Sequence, residues 1–176
     1  MNPAERASWV VAGHLAVVAV VGVTPALGQS ASELRLPPTL FPEATRQLEA
    51  GDQAAALVAL DRSIAAQSDG PVAAQLLRAQ IHDAAGRAAE SESLWGALAG
   101  TEPALRAFAL GRLVDSAVDR GAAQSADEHL TALVGSRAGR DDVARLMVVA
   151  DTLRDAGQPD RAAARYREVL GLGRTG

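Results

Sequence analysis

Apolar residues recur at helical spacing through the chain from residue 43 onward, and short polar breaks interrupt them. The stretch Leu146, Val149, Ala150 and Leu153 shows the i, i+3, i+4, i+7 stripe of an amphipathic helix. No segment has the strict alternation of a half-buried strand. Residues that favour helix starts punctuate the pattern: Pro71, Pro103, Asp141 and Pro159. The pattern predicts eight helices in four hairpins.

A glycine precedes the second helix of every predicted hairpin. These glycines are Gly51, Gly86, Gly121 and Gly157, spaced 35, 35 and 36 residues apart. Such a period is typical of stacked helical repeats, because one hairpin is too small to bury its own apolar face. We therefore predict four units over residues 43–70, 71–102, 103–138 and 141–172.

Residue size follows the same period. Five residues after each glycine stand small side chains: Ala56, Ser91, Ala126 and Ala162. Nine residues after it stand large ones: Leu60, Trp95, Leu130 and Tyr166. Small residues let the helices of a hairpin approach closely, and large residues fill the gap to the neighbouring hairpin. Pro103 ends the second unit and opens the third.

This arrangement resembles the tetratricopeptide repeat (TPR) family, and the resemblance covers residues 43–172. It implies an all-α fold, a right-handed α-solenoid of about four TPR-like helix hairpins after an N-terminal signal helix. The family's tyrosine in the first helix is replaced here by Gln47, His82, Ala117 and Leu153. Pro42 also shortens the first helix, which leaves open whether unit one is a complete repeat.

Composition and charge narrow the classes of function. The chain has 176 residues, 48% of them hydrophobic, which is enough for one domain with a real core. All 17 basic residues are arginine, which indicates a GC-rich, bacterial genome. The net charge of −4 and the lack of a basic run argue against nucleic-acid binding. Since there is no cysteine, disulfides, thiolate zinc sites and cysteine nucleophiles are excluded.

Residues 1–28 have the pattern of a signal peptide. A short polar start carrying Arg6 precedes the apolar run WVVAGHLAVVAVVGV, and small residues stand at Ala26 and Gly28. The prediction is export to the periplasm or beyond, with Gln29 as the first mature residue. The alternative is an uncleaved inner-membrane anchor, and only then do we expect membrane contact. Residues 29–42 hold three prolines and are interpreted as a linker.

A search for catalytic, cofactor-binding or metal-ligating residues finds no candidates. After the signal segment only His82 and His129 remain, on different units and without a partner at ligand spacing. GSRAG at 135–139 is not a nucleophile elbow, and the terminal GLGRTG follows no strand. Asp141 and Asp142 are adjacent where a helix begins, so we interpret them as helix-capping residues. We therefore predict a protein that is not an enzyme; an enzyme whose site has no recognisable motif is the remaining alternative.

One group of polar residues suggests a binding surface. In the TPR family the first helix of each unit lines the concave side, and the resemblance places seven residues there as candidate partner-binding residues: Glu49, Gln80, Asp83, Asp115, Asp119, Asp151 and Asp155. Arg154 is the single basic residue expected among them. This predicts an acidic groove for a basic protein or peptide segment; the alternative is a solvated polar face.

The function predicted is an exported, non-catalytic scaffold for protein–protein interaction, and the alternative is a membrane-anchored accessory subunit that recruits proteins to an envelope complex.

The C-terminal segment predicts an exposed apolar edge. TPR arrays usually end with an extra helix, and the few residues between Leu170 and Gly176 leave no room for one. Tyr166 and Val169 can pack on their own hairpin, which leaves Leu170 and Leu172 exposed. We expect this edge to contact a partner or a second copy of the chain; the alternative is a frayed end without a role.

Overall fold

The computed structural model describes residues 36, 39–66, 71–135 and 142–172. These residues form eight helices and no strand, which confirms the predicted all-α class. The helices are α1 (Pro42–Glu49), α2 (Gln53–Ala66), α3 (Pro71–Ala84), α4 (Ala88–Thr101), α5 (Arg106–Asp119), α6 (Ala123–Val134), α7 (Val143–Asp155) and α8 (Pro159–Leu172). The predicted signal helix, residues 1–28, and most of the predicted linker lie outside the described residues.

The four glycines that recur every 35 or 36 residues stand where a helix ends. At Gly157 the φ angle is +73°, and similar positive values occur at the other three glycines: Gly51, Gly86 and Gly121. The Gln158 N–H donates to the Leu153 carbonyl (2.9 Å) and the Gly157 N–H to the Arg154 carbonyl (3.0 Å). This is the Schellman pattern, which satisfies the last carbonyls of a helix and needs a residue that tolerates positive φ. The recurring glycine thus turns the chain from the first helix of a hairpin into the second.

The described residues form two compact units, one that extends to Leu94 and one that starts at Trp95. In the first unit α1 packs on α2 and α2 packs on α3. Their core is built from small residues such as Ala44 and Ala56 around Leu60, Leu77 and Ile81. Helix α1 has only eight residues, as expected from Pro42.

The first unit also includes residues assigned to the linker from sequence. Phe41 is buried against this core, Pro42 is the first residue of α1, and Leu36 is partly buried on the same cluster. Helix α1 therefore begins one residue before the predicted start of the repeat domain at residue 43. An aromatic side chain next to an apolar hairpin gains more from burial than from exposure, whatever prolines flank it.

In the second unit α5 pairs with α6 and α7 pairs with α8, and α7 also contacts both α5 and α6. Seven of the eight repeat positions inferred from sequence are buried, among them Ala126, Leu130 and Ala162, and the eighth, Tyr166, is half-buried. Trp95 is fully buried and meets Phe108 edge to face, with ring centroids 5.5 Å apart and an interplanar angle of 76°. The fold is thus an array of antiparallel hairpins at the predicted register. The right-handed sense of the predicted superhelix remains a prediction.

Candidate functional site

The first helices of the third and fourth hairpins carry the polar residues of most interest. On α7, Ala144, Val148, Asp151 and Asp155 follow the i, i+4, i+7, i+11 spacing of one helix face. Thirty-six residues earlier, α5 carries the equivalent residues: Phe108, Arg112, Asp115 and Asp119. Helices α5 and α7 contact each other. We call these eight residues the α5/α7 face.

Arg145 joins the two helices beside this face. From α7 its Nε and Nη2 atoms donate to Oδ1 and Oδ2 of Asp115 on α5, both at 2.8 Å. This bidentate geometry is the strongest form of an arginine–carboxylate pair. The hydrogen bonds that Arg145 donates to Asp115, followed by the charges of Asp115 and Asp142, raise the pKa of the Arg145 guanidinium above its ordinary value in spite of burial.

A glycine makes room for that guanidinium. A Cβ atom at Gly111 would lie 3.1 Å from Cζ of Arg145, closer than ordinary van der Waals contact. Glycine inside a helix weakens it by about 1 kcal/mol relative to alanine. The close approach of Arg145 explains why glycine stands at this position in spite of that cost. An isolated glycine within a helical pattern was the sequence signal that could have located this contact.

Asp142 connects the same arginine to the start of α7. Its carboxylate accepts from the Arg145 backbone N–H (3.1 Å), which caps the helix, and from the Arg145 side chain. The interpretation of Asp142 as a capping residue is thereby confirmed. Asp141 lies outside the described residues.

A second cluster surrounds Arg154 near the end of α7. Its Nη1 donates to Asp151 (2.9 Å) and its Nε donates to Asp155 (3.0 Å). The Tyr166 hydroxyl, from α8, donates to the same Oδ1 atom of Asp151 at 2.6 Å. This hydrogen bond, which the neutral phenol alone can donate, raises the pKa of Tyr166.

These pairings correct one expectation. Arg154 is not the only basic residue among the predicted carboxylates, because Arg145 reaches back across 30 residues to bind Asp115. Arg145 neutralises Asp115, and Arg154 pairs with Asp151 and Asp155, so the α5/α7 face is less acidic than the sequence suggested. The exposed negative charge lies at the helix ends, on Asp119 and Asp155.

The structure does not place all seven predicted residues in one described cluster. Asp115, Asp119, Asp151 and Asp155 belong to the second unit. Glu49, Gln80 and Asp83 belong to the first, where Glu49 is exposed at the end of α1 and the other two are half-buried on α3. A proposal for a binding surface therefore rests on the four aspartates of the second unit.

A pocket of about 420 Å³ lies on the first hairpin. Its lining includes the apolar residues Ala54, Ala55 and Val58 and the charged residues Glu43, Asp52 and Arg62. It is an open groove along α1 and α2. Across residues 36, 39–66, 71–135 and 142–172 no three metal-ligating side chains converge, and no helix combines the length and apolarity needed to cross a bilayer.

The architecture defines the class of protein: the fold is a TPR-like array of helical hairpins. No protein-family model and no curated protein matches the sequence. Two solved structures of MamA, a TPR-like all-helical protein, share the fold. The one described as "MamA AMB-1 P212121" has a TM-score of 0.61 at 14% identity, covering 95% of this chain and 86% of that one. The one described as "Crystal structure of MamA" has a TM-score of 0.60 at 12% identity, covering 99% and 96%. At such low identity the likeness shows the fold.

Proposed function

We propose that this chain is an exported, non-catalytic TPR-like scaffold that binds a protein partner on the α5/α7 face. The observation that carries the proposal is Val148, a large apolar side chain that is 46% exposed between Ala144 and the carboxylates of Asp151 and Asp155. The TPR-like fold supports the same interpretation, because helical repeats present extended surfaces to partners.

The charges of this face favour a particular kind of partner. Asp115 is already neutralised by Arg145, so a ligand gains little there. Asp119 and Asp155 are exposed in the last turn of their helices, where the helix dipole disfavours negative charge. Asp155 is paired with Arg154, but the two side chains are 71% and 56% exposed, so water weakens this pair and leaves Asp155 accessible to a partner. A lysine or arginine of a partner would relieve that unfavourable interaction. We therefore propose a segment that presents an apolar side chain to Val148 and a basic residue to Asp119 or Asp155, with the charges contributing mainly to association rate and selectivity.

Photo-crosslinking in the host tests this proposal. A photoreactive amino acid at Val148 should capture one specific protein, whereas the same group at Ala132, an exposed alanine on second helix α6, should not. The double change Asp119→Asn and Asp155→Asn should lower the yield at Val148 and reduce its sensitivity to salt. Equal capture from Val148 and Ala132, or a partner unaffected by the double change, would refute the basic-segment proposal.

Export belongs to the same proposal and rests on the N-terminal sequence pattern of residues 1–28. An alkaline phosphatase fused after Gly176 should be active only if that segment carries the chain out of the cytoplasm. Activity that persists when residues 2–28 are deleted would contradict it.

A further inference from the structure

The first hairpin has an open groove along α1 and α2, with a volume of about 420 Å³. We call it the first-hairpin groove. Val58 of α2 lies in this groove and is 49% exposed; of the large apolar side chains that the structure describes, only Leu170 is more exposed. A segment that covers Val58 therefore gains free energy from its burial.

The equivalent side of the fourth hairpin is covered. Counted from the turn glycines, the groove residues Glu43, Gln47, Ala55 and Ala59 correspond to Val149, Leu153, Arg161 and Arg165. In the fourth hairpin the two arginines bind Asp127 of α6, and α7 packs on both α5 and α6. The cover is therefore the part of the chain that comes before this hairpin in the sequence.

The first-hairpin groove suits a short segment better than another hairpin. Glu43 and Gln47 on α1 take the places of two fully buried aliphatic residues, Val149 and Leu153. The Gln47 Nε2 atom donates to Oε1 of Glu43 at 2.7 Å. A stacked hairpin would bury this polar pair, which is costly unless new partners satisfy it. A narrow extended segment can instead cover the apolar α2 wall around Val58 and leave the α1 wall in water.

We propose that residues 29–35 of the same chain bind in the first-hairpin groove. Leu36, the first described residue, packs on the core cluster to which Ala59 of the groove also belongs. Residues 29–35 are thus attached directly to the hairpin that carries the groove. Such a short tether gives an effective concentration of about millimolar, so a weak contact is enough to fill the groove.

The length of the segment matches the groove. Seven extended residues span about 23 Å. The α2 wall of the groove, from Ala54 to Arg62, spans about 12 Å. Residues 29–35 therefore reach along the whole groove from an attachment point on the same hairpin.

The side chains of the segment also match the groove. Leu34 is its one large apolar residue, and it covers Val58. Glu33 and Arg35 carry opposite charges on either side of Leu34, and the groove holds Arg62 and Glu43 as opposite charges for them. Exposed pairs of this kind add little affinity, so the contact between Leu34 and Val58 carries most of the binding.

This contact is independent of the proposed function. It shares no residue with the α5/α7 face, so the two proposals fail or succeed separately. Removal of residues 1–28 leaves residues 29–35 on the chain, so the contact does not depend on how the N-terminus is processed.

Thiol reactivity measures whether the groove is covered, because the chain contains no cysteine of its own. In the chain purified from its host, Val58→Cys should be alkylated about fivefold faster when Leu34→Ser is added. Full burial of one leucine corresponds to a factor of about ten, and ordering the segment takes part of it back. Ile64→Cys is the matched control, since Ile64 is 39% exposed on the same helix and does not line the groove. Equal rates with and without Leu34, or the same acceleration at Ile64→Cys, would overturn the proposal.

A disulfide tests which residues meet. Leu34→Cys combined with Val58→Cys should form a disulfide within one chain under mild oxidation at low protein concentration. Leu34→Cys combined with Val148→Cys, which is similarly exposed on the α5/α7 face, should not. Circular dichroism verifies that each variant is helical. A disulfide that joins two copies would assign the groove to a second copy, and equal crosslinking to Val148→Cys would show no preferred site; either result overturns the proposal.

Discussion

Arg165 of α8 and Asp127 of α6 form a buried ion pair, with Nε and Oδ1 2.6 Å apart and side chains only 12% and 8% exposed. Arg161 binds the other oxygen of the same carboxylate at 2.6 Å. Burial by itself lowers the pKa of Arg165. The hydrogen bonds to Asp127 and Glu168 and the charges of these two carboxylates raise it by more, so the pKa of Arg165 lies above its ordinary value. The second helices of the last two hairpins are therefore held together by a satisfied ionic cluster.

Removing this carboxylate should be costly. Asp127→Ala leaves Arg165 buried without its main partner, and we expect a loss of about 3 kcal/mol in the free energy of unfolding. Glu43→Ala removes the exposed partner of Arg46 and should change it by about 0.5 kcal/mol or less. Urea denaturation followed by circular dichroism compares the two variants. Similar losses would show that the Asp127 cluster does not stabilise the fold.

The two aromatic residues at equivalent repeat positions should differ in their contribution to stability. Trp95 is fully buried against Phe108, whereas Tyr166 is half-buried in the last helix. Trp95→Ala should cost about 3–5 kcal/mol and Tyr166→Ala less, because the end of an array is less confined. Denaturant titration gives both values, and Trp95→Phe should recover much of the loss. The reverse order would contradict the repeat register.

Tyr166 is the chain's one tyrosine, so its ionisation can be followed directly by ultraviolet absorbance. Its pKa should lie above the ordinary value of about 10, because the phenol donates to Asp151. Since the folded-state pKa is raised, the associated stability is complete below the unfolded pKa and is lost as the pH rises through the folded one. Asp151→Asn should lower the pKa of Tyr166. A tyrosine that titrates at the same pH in both proteins would contradict the hydrogen bond.

The turn glycines should respond differently from a glycine inside a helix. Gly157→Ala places a Cβ atom on a backbone with φ +73° and should cost about 1–2 kcal/mol. Gly96 lies in α4 with open space where a Cβ would stand, so Gly96→Ala should be neutral or stabilise by up to about 1 kcal/mol. Thermal unfolding distinguishes them. A stabilising Gly157→Ala would contradict the assigned turn.

The fate of the N-terminal segment is also testable. We expect mass spectrometry of the protein from host cell fractions to identify Gln29 as the first residue in the periplasmic or secreted fraction. Replacing Ala26 and Gly28 with bulky residues should prevent this processing. Wild-type protein that retains residues 1–28 in the membrane fraction would instead support the membrane-anchored alternative.

The elements of this fold could be predicted from sequence because their determinants are local. Each turn needs one residue that tolerates positive φ, so a glycine that recurs at a regular spacing predicts where the turns lie. The small and large positions counted from that glycine, such as Ala126 and Leu130, are buried as expected because the hairpin geometry repeats. Leu170 is exposed, as the sequence predicted, and the side chain of Leu172 lies outside the described residues.

The polar contacts of the site depended on the tertiary structure. Arg145 binds Asp115, which lies 30 residues earlier in the sequence, and Arg165 binds Asp127, which lies 38 residues earlier. No local pattern distinguishes such arginines from solvated ones, because a long side chain can reach several carboxylates and only packing selects among them. That is why the predicted acidic groove proved partly neutralised. Helical periodicity determines which residues share a helix face; the packing of one helix on another determines which charges remain available to a partner.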